Sequence, residues 1–599
     1  MGRFPCRGEP KMLRSPDRAL KSTNPLTAFR ALSLSVSTLA ILAAGPAMAQ
    51  LTHDGCAALQ ATDFQMTELF NRKGDAGAAG DGTISEPTRM DVQVINKAGV
   101  YDHTNIIFVE RLGSVKFYDG AAKKVTLMGK INVWGKADNA LFGVVFHPDY
   151  EKNRWIYLWY SPNQLLGQNR QLRLTRITVK ADNTLDMATE KILINIIGSK
   201  SDSWHSGGPM MFDAYGDLWG GVGNNSPDLD PTACDAGNSV LSKTDSTNSA
   251  EWGPSNTASL RGGFWRIHPD SSDKGYSIPR GNFGEYWADQ FEKMGRADLA
   301  TQYRDPKKVL PEVYVKGERS NFSIGLHPIK RWLAWGTVNY SNVNDEFNIT
   351  SHPVFTGYPY FHNDNIKTCN HDKTVAAPKN NSPLNSGVVE LPPAVPGAIN
   401  NLTNIAIGGP IYHFDPSLNS DVKFPPQFDN KWLIAGFQGG MWAVTVDTNT
   451  LKVVNTLKVD NGIFSGFHIR NHVMSMYGKD GALYILNYDG YYDQAINPGA
   501  MRVTYKGSCK VPVEIADSPK PGAYQKIWLS ETALMVGEKG RHEFSLFDLS
   551  GHRVYNAVGG EGAEYRFGTL EGSAGLKSGV YLVKVETAQG VFSRRISLF

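Results

Sequence analysis

Among the residues that could take part in a reaction, His205 stands out, in the segment WHSGGPMMFDAYGDLW that starts at Trp204. A Ser-Gly-Gly bend follows the histidine and leads into an apolar stretch typical of a β-strand. An imidazole on such a loop titrates close to neutral pH and can take a proton from a bound hydroxyl group. Taken alone, such a loop histidine is more often structural, and a general base at His205 is the alternative.

The commonest catalytic motifs do not occur in this sequence. It has no G-x-S-x-G, H-E-x-x-H, P-loop or Rossmann glycine pattern, which argues against the usual serine hydrolases, zinc proteases and nucleotide-binding enzymes. The 61 Lys and Arg against 58 Asp and Glu give a formal net charge of only +3. This balance does not favour nucleic acid or an anionic membrane as the partner.

A repeated strand pattern provides the scaffold that would position His205. Each copy has a hydrophobic strand, a turn rich in Asp, Gly, Asn or Pro, and a second strand rich in aromatic and β-branched residues. Six copies lie between residues 90 and 508, beginning at Asn105, Leu141, Pro209, Phe322, Lys431 and Val473. Several are followed by a further strand, as in a sheet of about four strands. We therefore predict an all-β fold with a six-bladed β-propeller, in preference to a tandem of β-sandwiches.

Few segments depart from this strand pattern. Residues 57–71 and 286–302 have a short helical apolar period. The ranges 226–320 and 350–430 contain Pro, Asn, Gly and polar residues and predict long loops. Because long loops on a rigid β scaffold usually carry function, we expect the site on the face that they form.

Residues 1–49 are predicted to be a signal peptide, followed by an N-terminal segment over 50–89. Basic residues precede an apolar run from about Leu32 to Ala44, and a small-x-small pattern ends at Ala49. A transmembrane helix needs about 20 apolar residues, which neither this run nor any later segment supplies. We therefore expect no transmembrane segment and a secreted or cell-surface protein.

Export gives the four remaining cysteines a possible structural role. In an oxidising compartment they could form two disulfides with three possible pairings, or stay as free thiols. In the pairing that we favour, one disulfide joins the segment that enters the propeller to the segment that leaves it. The other disulfide joins the two long loops to each other. The expected pairs are Cys56 with Cys509 and Cys234 with Cys369.

A linker over 509–525 and a separate module over 526–599 are predicted at the C-terminal end. The module contains a strand-turn-strand unit from Phe544 and a hairpin from Gly579, typical of a small β-sandwich. Through DLSGHRV and LKSGVYLVKV it resembles the C-terminal sorting domains of the type IX secretion route. That resemblance implies the secretion machinery as a partner, and a carbohydrate-binding or adhesive sandwich is the alternative.

Several segments between residues 90 and 508 together resemble the glucose/sorbosone dehydrogenase family. The resemblance implies a six-bladed quinoprotein that uses pyrroloquinoline quinone (PQQ) and calcium. It also implies a sugar substrate, such as an aldose, and an external electron acceptor. The segments are LFGVVFHPDYEKNRWIYLWYSP, HSGGPMMFDAYGDLW, SNTASLRGGFWRIHPD with YSIPRGNF, LPEVYVKGERSNF, and KDGALYIL with MRVTY.

The resemblance also implies roles for individual residues. His205 matches the base that takes the proton of the sugar's anomeric hydroxyl while a hydride moves to the quinone. Arg319 matches an arginine whose guanidinium stabilises charge on the quinone oxygen. Calcium would be held partly by backbone carbonyls near Tyr340 and Ser341. The implied cofactor-binding positions are Asp138, Asn224, Asn321, Gln438 and Arg470.

Several of these positions depart from the family's pattern. Asp138 stands where soluble members have Gln, Asn224 where they have Asp, and Gln438 where a cofactor-binding Lys is expected. PQQ carries three carboxylates, and each lost charge-assisted hydrogen bond weakens binding by roughly 1.5–3 kcal/mol. We therefore expect a PQQ-dependent sugar dehydrogenase, or a non-catalytic propeller that binds carbohydrate or protein and has lost cofactor ligands.

Overall fold

The computed structural model divides the chain into Met1–Met48 and Ala49–Phe599. It describes residues 51–598 apart from 52, 54–55, 98–99, 201–202, 227–248, 250–251, 340–344, 368–377, 468, 492–493, 510–526, 530–532, 538–539, 549–552, 568–578 and 588–589. The signal peptide predicted over 1–49 lies outside the described residues. Among those described, no helix is long and apolar enough to cross a membrane.

Six successive sheets with mostly antiparallel strands form the larger part of the fold. Strand β1 (Phe64–Asn71) precedes the first sheet, β2 (Pro87–Lys97), β3 (Val100–Glu110), β4 (Ser114–Asp119) and β5 (Lys124–Lys130). The second sheet contains β6 (Leu141–Phe146), β7 (Trp155–Tyr160), β8 (Gln171–Val179) and β9 (Leu185–Ile197), with helix α1 (Tyr150–Asn153) between β6 and β7.

The third and fourth sheets have longer connections. The third is built from β10 (Met210–Phe212), β11 (Leu218–Val222), β12 (Gly263–Pro269) and β14 (Val313–Lys316), with β13 (Tyr276–Ser277) and β18 (Val354–Phe355) attached. Helices α2 (Phe283–Lys293) and α3 (Ala297–Arg304) connect β13 to β14. The fourth contains β15 (Gly325–Leu326), β16 (Leu333–Thr337), β17 (Glu346–Thr350) and β21 (Ile399–Asn400), and the hairpin β19 (Phe361–His362) and β20 (Ile366–Lys367) lies between its last strands.

The last two sheets complete the series. The fifth contains β22 (Ala406–Ile407), β23 (Lys431–Gly436), β24 (Met441–Val446) and β25 (Val453–Lys458). The sixth contains β26 (His472–Tyr477), β27 (Leu483–Asn487) and β28 (Gly499–Tyr505), and β1 is its outermost strand. Each of the six sequence copies therefore lies in a different sheet.

Contacts between neighbouring sheets close the series into a ring. Strand β2 packs on β6, β6 on β10, β16 on β22, β22 on β26, and β26 on β2. The third and fourth sheets share an apolar cluster that contains Trp219, Phe264 and Trp335. The predicted all-β propeller is confirmed.

Strand β1 joins the two ends of the ring. It pairs antiparallel with β28, from Phe64 opposite Tyr505 to Asn71 opposite Gly499. A disulfide between Cys56 and Cys509, with Cα atoms 5.4 Å apart, links the segments that flank these strands. This predicted pair is confirmed, while Cys234 and Cys369 lie outside the described residues.

Three secondary-structure predictions can now be compared with the structure. The helix predicted over 57–71 is wrong, because 64–71 satisfies the open edge of β28 as a strand. The helical segment over 286–302 is confirmed as parts of α2 and α3, whose apolar faces share one core cluster. The loop prediction over 226–320 is wrong in part, because β13 and β14 also lie within this range. A four-residue strand such as β14 is too short to show a period in the sequence.

The C-terminal module is a separate pair of sheets. One contains β29 (Ile527–Leu529), β30 (Ala533–Val536) and β33 (Ala563–Arg566); the other contains β31 (His542–Phe547), β32 (Arg553–Gly559), β34 (Gly579–Thr587) and β35 (Gly590–Leu598). Leu534 and Val536 of the first sheet share a buried cluster with Phe544, Leu546 and Val583 of the second. The predicted small β-sandwich is confirmed.

The strand order also determines where the predicted site residues lie. In antiparallel sheets, successive connections alternate between the two ends. The loops that lead from one sheet to the next therefore share a side with the loops between second and third strands. We call this side the upper face, and it carries the loops 131–140, 198–209, 317–324, 437–440 and 459–471, together with the start of the loop after β11. All the predicted site residues that the structure describes belong to these loops.

Candidate functional site

His205 occupies an unusual backbone conformation in the loop between β9 and β10. Its φ is +63°, and Gly207 and Gly208 follow with φ of +76° and +118°. A Cβ atom on Gly207 would lie 2.3 Å from the carbonyl oxygen of Gly221, so only glycine fits this approach. The amide of His205 donates to Oδ2 of Asp138 at 2.8 Å. The bend therefore places the histidine against the inner strands, and Asp138 holds its backbone.

Two buried asparagines hold the serines on either side of His205. Asn139 Nδ2 donates to the carbonyl of Ser203 at 3.0 Å. Asn225 Nδ2 donates to the hydroxyls of Ser203 at 3.0 Å and Ser206 at 3.1 Å. Both asparagines are fully buried, so their bonds do not compete with water. The loop is thus attached to two neighbouring loops of the upper face.

The side chain of Asn224 determines which nitrogen of His205 carries the proton. Nδ1 of His205 lies 2.7 Å from Oδ1 of Asn224. The backbone amide of Ser226 donates to the same atom at 3.4 Å, which identifies it as the carbonyl oxygen because an amide N–H only donates. Nδ1 of His205 is therefore protonated, and Nε2 presents a lone pair.

The electrostatic environment keeps His205 neutral. Burial, followed by the positive charge of Arg319, lowers the pKa of His205 well below its ordinary value of 6.5, and the hydrogen bond to Asn224 opposes this only in part. A base must be unprotonated to accept a proton. His205 thus combines a neutral ring at physiological pH with a free Nε2 lone pair.

Arg319 lies beside His205 and is almost fully buried. Its Nη1 donates to the carbonyls of Val338 at 2.8 Å and Asn339 at 3.0 Å, and its carbonyl accepts the amide of Asn224 at 2.7 Å. A Cβ atom on Gly223 would lie 2.7 Å from both the Arg319 carbonyl oxygen and the His205 Cβ. The absence of that Cβ allows the two loops to meet.

Two buried carboxyl groups, Asp345 and Glu346, lie at the start of β17, and the first of them interacts with the charge of Arg319. Asp345 accepts the amide of Asn339 at 2.8 Å, and burial raises its pKa to about 6 although the charge of Arg319 lowers it. Burial and then the charge of Glu318 raise the pKa of Glu346 to about 8. At neutral pH, Asp345 is therefore mostly ionised and offsets part of the charge of Arg319, whereas Glu346 is mostly protonated.

The other predicted positions are more widely spread on the upper face. Asn321 is buried and donates to the carbonyl of Gly263 at 2.7 Å, a bond that joins two sheets. Gln438 lines a cavity of about 350 Å³ with residues 401–404 and Gly439, all of them uncharged. Tyr340 and Ser341 lie outside the described residues.

Arg470 lies in a second cavity, of about 300 Å³, which also contains Lys73. Three carboxylates, Glu68, Asp75 and Asp489, line the same cavity, and Nη1 of Arg470 is 3.6 Å from Oδ2 of Asp489. The charge of Arg470 is therefore partly neutralised by the protein. Over the described part of the chain, no group of three or more His, Cys, Asp or Glu is arranged to hold a metal ion.

The structure brings together His205, Asp138, Asn224 and Arg319, whereas Gln438 and Arg470 line separate cavities. Sequence reasoning missed Asn139 and Asn225. Each directly follows a predicted position, and that adjacency was the only available signal.

Part of this chain is similar to a known protein family. Residues 96–243 match the family model described as Glucose / Sorbosone dehydrogenase, a range that includes His205 and Asn224. Residues 96–243 of this β-propeller are therefore similar to the glucose/sorbosone dehydrogenase family. The resemblance predicted from the sequence is confirmed.

Solved structures of sugar dehydrogenases are similar to this chain. A glucose dehydrogenase shares 17% identity, covers 74% of this chain and 99% of its own, with a TM-score of 0.47. The apo-form of the soluble aldose sugar dehydrogenase from Escherichia coli shares 18% identity over 74% and 99%, with a TM-score of 0.46. The PQQ-bound aldose sugar dehydrogenase from Streptomyces coelicolor shares 13% identity over 74% and 98%, with a TM-score of 0.45.

Proposed function

We propose that this chain is a PQQ-dependent dehydrogenase that oxidises an aldose or a similar sugar and passes the electrons to an external acceptor. One observation carries the proposal: a neutral His205, with its Nε2 lone pair fixed by Asn224, lies beside the guanidinium of Arg319. Sugar oxidation at an anomeric carbon needs a proton acceptor and a cation near the developing negative charge.

The donor set next to His205 fits the quinone part of PQQ. Arg319 would hold the cofactor through charge-assisted hydrogen bonds to a quinone or carboxylate oxygen. When bound, PQQ supplies an acceptor for the hydride from C1 of the sugar. The calcium implied by the resemblance stays a prediction.

The protein's own part in the reaction is the movement of one proton. Nε2 of His205 accepts the proton of the anomeric hydroxyl, while Nδ1 keeps its bond to Asn224. The low pKa of His205 keeps the base available at neutral pH. Asn224 orients the ring without adding negative charge, so it stabilises the resulting imidazolium less than a carboxylate would.

Calorimetry with purified protein, PQQ and calcium is the first test. We expect binding at micromolar concentrations that depends on calcium, followed by reduction of an artificial acceptor when aldoses are added. His205→Ala should abolish turnover and largely retain PQQ binding. His268→Ala is the matched control, because His268 pairs with Asp217 at the opposite end of the third sheet. Turnover by the His205 variant would contradict the assigned base.

A second candidate is a non-catalytic propeller that binds carbohydrate or protein. It is favoured by the uncharged cavity at Gln438 and by the three carboxylates around Arg470, which are poor partners for a tricarboxylate cofactor. The same calorimetry separates the two: no PQQ binding at micromolar concentrations with calcium present supports this candidate.

We also propose export through the predicted signal peptide and the C-terminal sandwich. The sequence patterns of residues 1–49 and 526–599 support this destination. In a host with a type IX route, removal of 526–599 should retain the protein inside the outer membrane. Unchanged release of the truncated protein would contradict the sorting role.

A further inference from the structure

Arg261 is a fully buried cation that the proposed chemistry does not use. It lies two residues before β12, at the end of the loop that leads from β11. Its Nε donates to the carbonyl of Asn224 at 2.8 Å, and its Nη2 donates to the carbonyls of Asn224 at 2.5 Å and Asn225 at 2.9 Å. One guanidinium therefore holds two consecutive carbonyl groups.

These two carbonyls belong to the residues whose side chains position His205. The side chain of Asn224 accepts the bond from His205 Nδ1, and the side chain of Asn225 holds Ser203 and Ser206. The backbone of Asn225 has a φ of +44°, a conformation that is unfavourable without supporting contacts. Holding this backbone in place therefore holds both side chains.

We propose that Arg261 is a positioning residue that sets the orientation and the proton position of His205 through Asn224. The inference deepens the proposed function, since it rests on His205 being the base. Without the guanidinium, the two buried carbonyls lose their donors and the segment must move to find others. A shift of a few tenths of an ångström is enough to weaken the 2.7 Å bond that keeps the proton on Nδ1.

The planar shape of the guanidinium is central to this role. Its Nε and Nη2 hydrogens point in a fixed fork and reach adjacent acceptors together, whereas a lysine ammonium is a single point charge. Arg261→Lys should therefore retain the wild-type position of Asn224 only in part, and Arg261→Met should not retain it.

Arg266, on the strand β12 that follows Arg261, supplies a matched control. It is almost fully buried, its Nε donates to Oδ1 of Asn282 at 2.8 Å, and its Nη2 donates to the carbonyl of Arg280. None of these partners belongs to the loops that hold His205. Arg266→Met removes a buried guanidinium of the same chemistry from strand β12.

The test is a nitrogen-15 spectrum of histidine-labelled protein without cofactor, in which ring couplings report the protonated nitrogen. Signals of His205 are assigned by their loss in His205→Gln. We expect a single Nδ1-protonated form in the wild type and in Arg266→Met, a mixed form in Arg261→Met, and an intermediate result in Arg261→Lys. Once PQQ binding is established, Arg261→Met should lower kcat by about 100-fold with KM little changed, because small misplacements of a base are costly.

Melting temperatures separate positioning from general destabilisation. Equal loss of stability in Arg261→Met and Arg266→Met, with a changed His205 spectrum only in the first, supports the inference. A wild-type spectrum in folded Arg261→Met, or the same change in Arg266→Met, overturns it. If Arg261→Met does not fold, Arg261→Lys decides, and a wild-type spectrum there also overturns the inference. The spectra need no PQQ, so failure of cofactor binding would contradict the proposed function alone.

Discussion

Replacing Asn224 by Asp changes the charge next to His205 while preserving shape. Oδ1 of Asn224 lies 2.7 Å from Nδ1 of His205, and an aspartate would place a full negative charge there. The bond from the backbone amide of Ser226 would remain, and the hydroxyl of Tyr358, which now lies 3.4 Å from Asn224 Nδ2, could rotate to donate to the carboxylate. We therefore expect a folded protein with an altered histidine.

The magnitude follows from Coulomb's law. Two unit charges about 4 Å apart attract by about 4 kcal/mol at an effective dielectric constant of about 20. The nearby cations Arg319 and Arg261 would also attract the new carboxylate and partly offset its negative charge. Protonated His205 therefore gains only part of this attraction. We expect the pKa of His205 to rise by about 1–3 in Asn224→Asp, as for other close opposite-charge pairs.

Titration of labelled histidines by NMR is the assay, with His205→Gln providing the assignment. The pKa that governs the acid limb of the kcat/KM profile, measured on the PQQ-loaded protein, should rise by the same amount. Asn225→Asp is the control, because Asn225 bonds to the serines beside His205 and makes no bond to its ring. The reasoning is refuted if the pKa of His205 stays unchanged or falls in Asn224→Asp, or if Asn225→Asp raises it equally.

Three further predictions concern stability and cofactor binding. Replacing both Cys56 and Cys509 by Ser opens a loop that spans 453 residues. The free energy of unfolding, measured in urea, should fall by about 4–6 kcal/mol. Reducing agent should lower the stability of the wild type by the same amount, and an unchanged stability of the double variant would contradict the role of this bond. Glu346 has a folded-state pKa of about 8 against an ordinary 4.5, so between these pH values its folded form holds a proton that the unfolded form releases. Stability should therefore fall by about 5 kcal/mol as pH rises from about 4.5 to about 8. Glu346→Gln should flatten this dependence in melting curves, and an unchanged curve would contradict it. Gln438→Lys should tighten PQQ binding by about 10-fold or more in calorimetry, because it adds a charge-assisted bond; unchanged affinity would place the cofactor elsewhere.

Much of the architecture could be predicted from the sequence because it depends on local patterns. Strand-turn-strand units bury alternating apolar residues, and that alternation is visible without coordinates. The loop at His205 was also predictable, because two consecutive glycines indicate a backbone conformation that other residues rarely adopt. The helix expected over 57–71 was wrong because the edge of β28, some 430 residues later, decides its conformation.

The site was predictable only in its separate residues. His205 and Arg319 carry recognisable chemistry, yet their proximity depends on a glycine at 223 that allows two loops to meet. The sequence also could not indicate that Arg470 shares its cavity with three carboxylates, since these come from distant parts of the chain.

The sequence by itself determined the all-β class and the six strand-turn-strand units, because these follow from periodicity. It also made His205 a candidate base, because a loop imidazole can accept a proton near neutral pH. The tertiary structure alone decided that β1 closes the ring and that Asn224 fixes the proton on Nδ1 of His205. It also placed a buried arginine behind that asparagine. Hydrogen bonds and desolvation act over a few ångströms in space, and chain separation along the sequence carries no information about those distances.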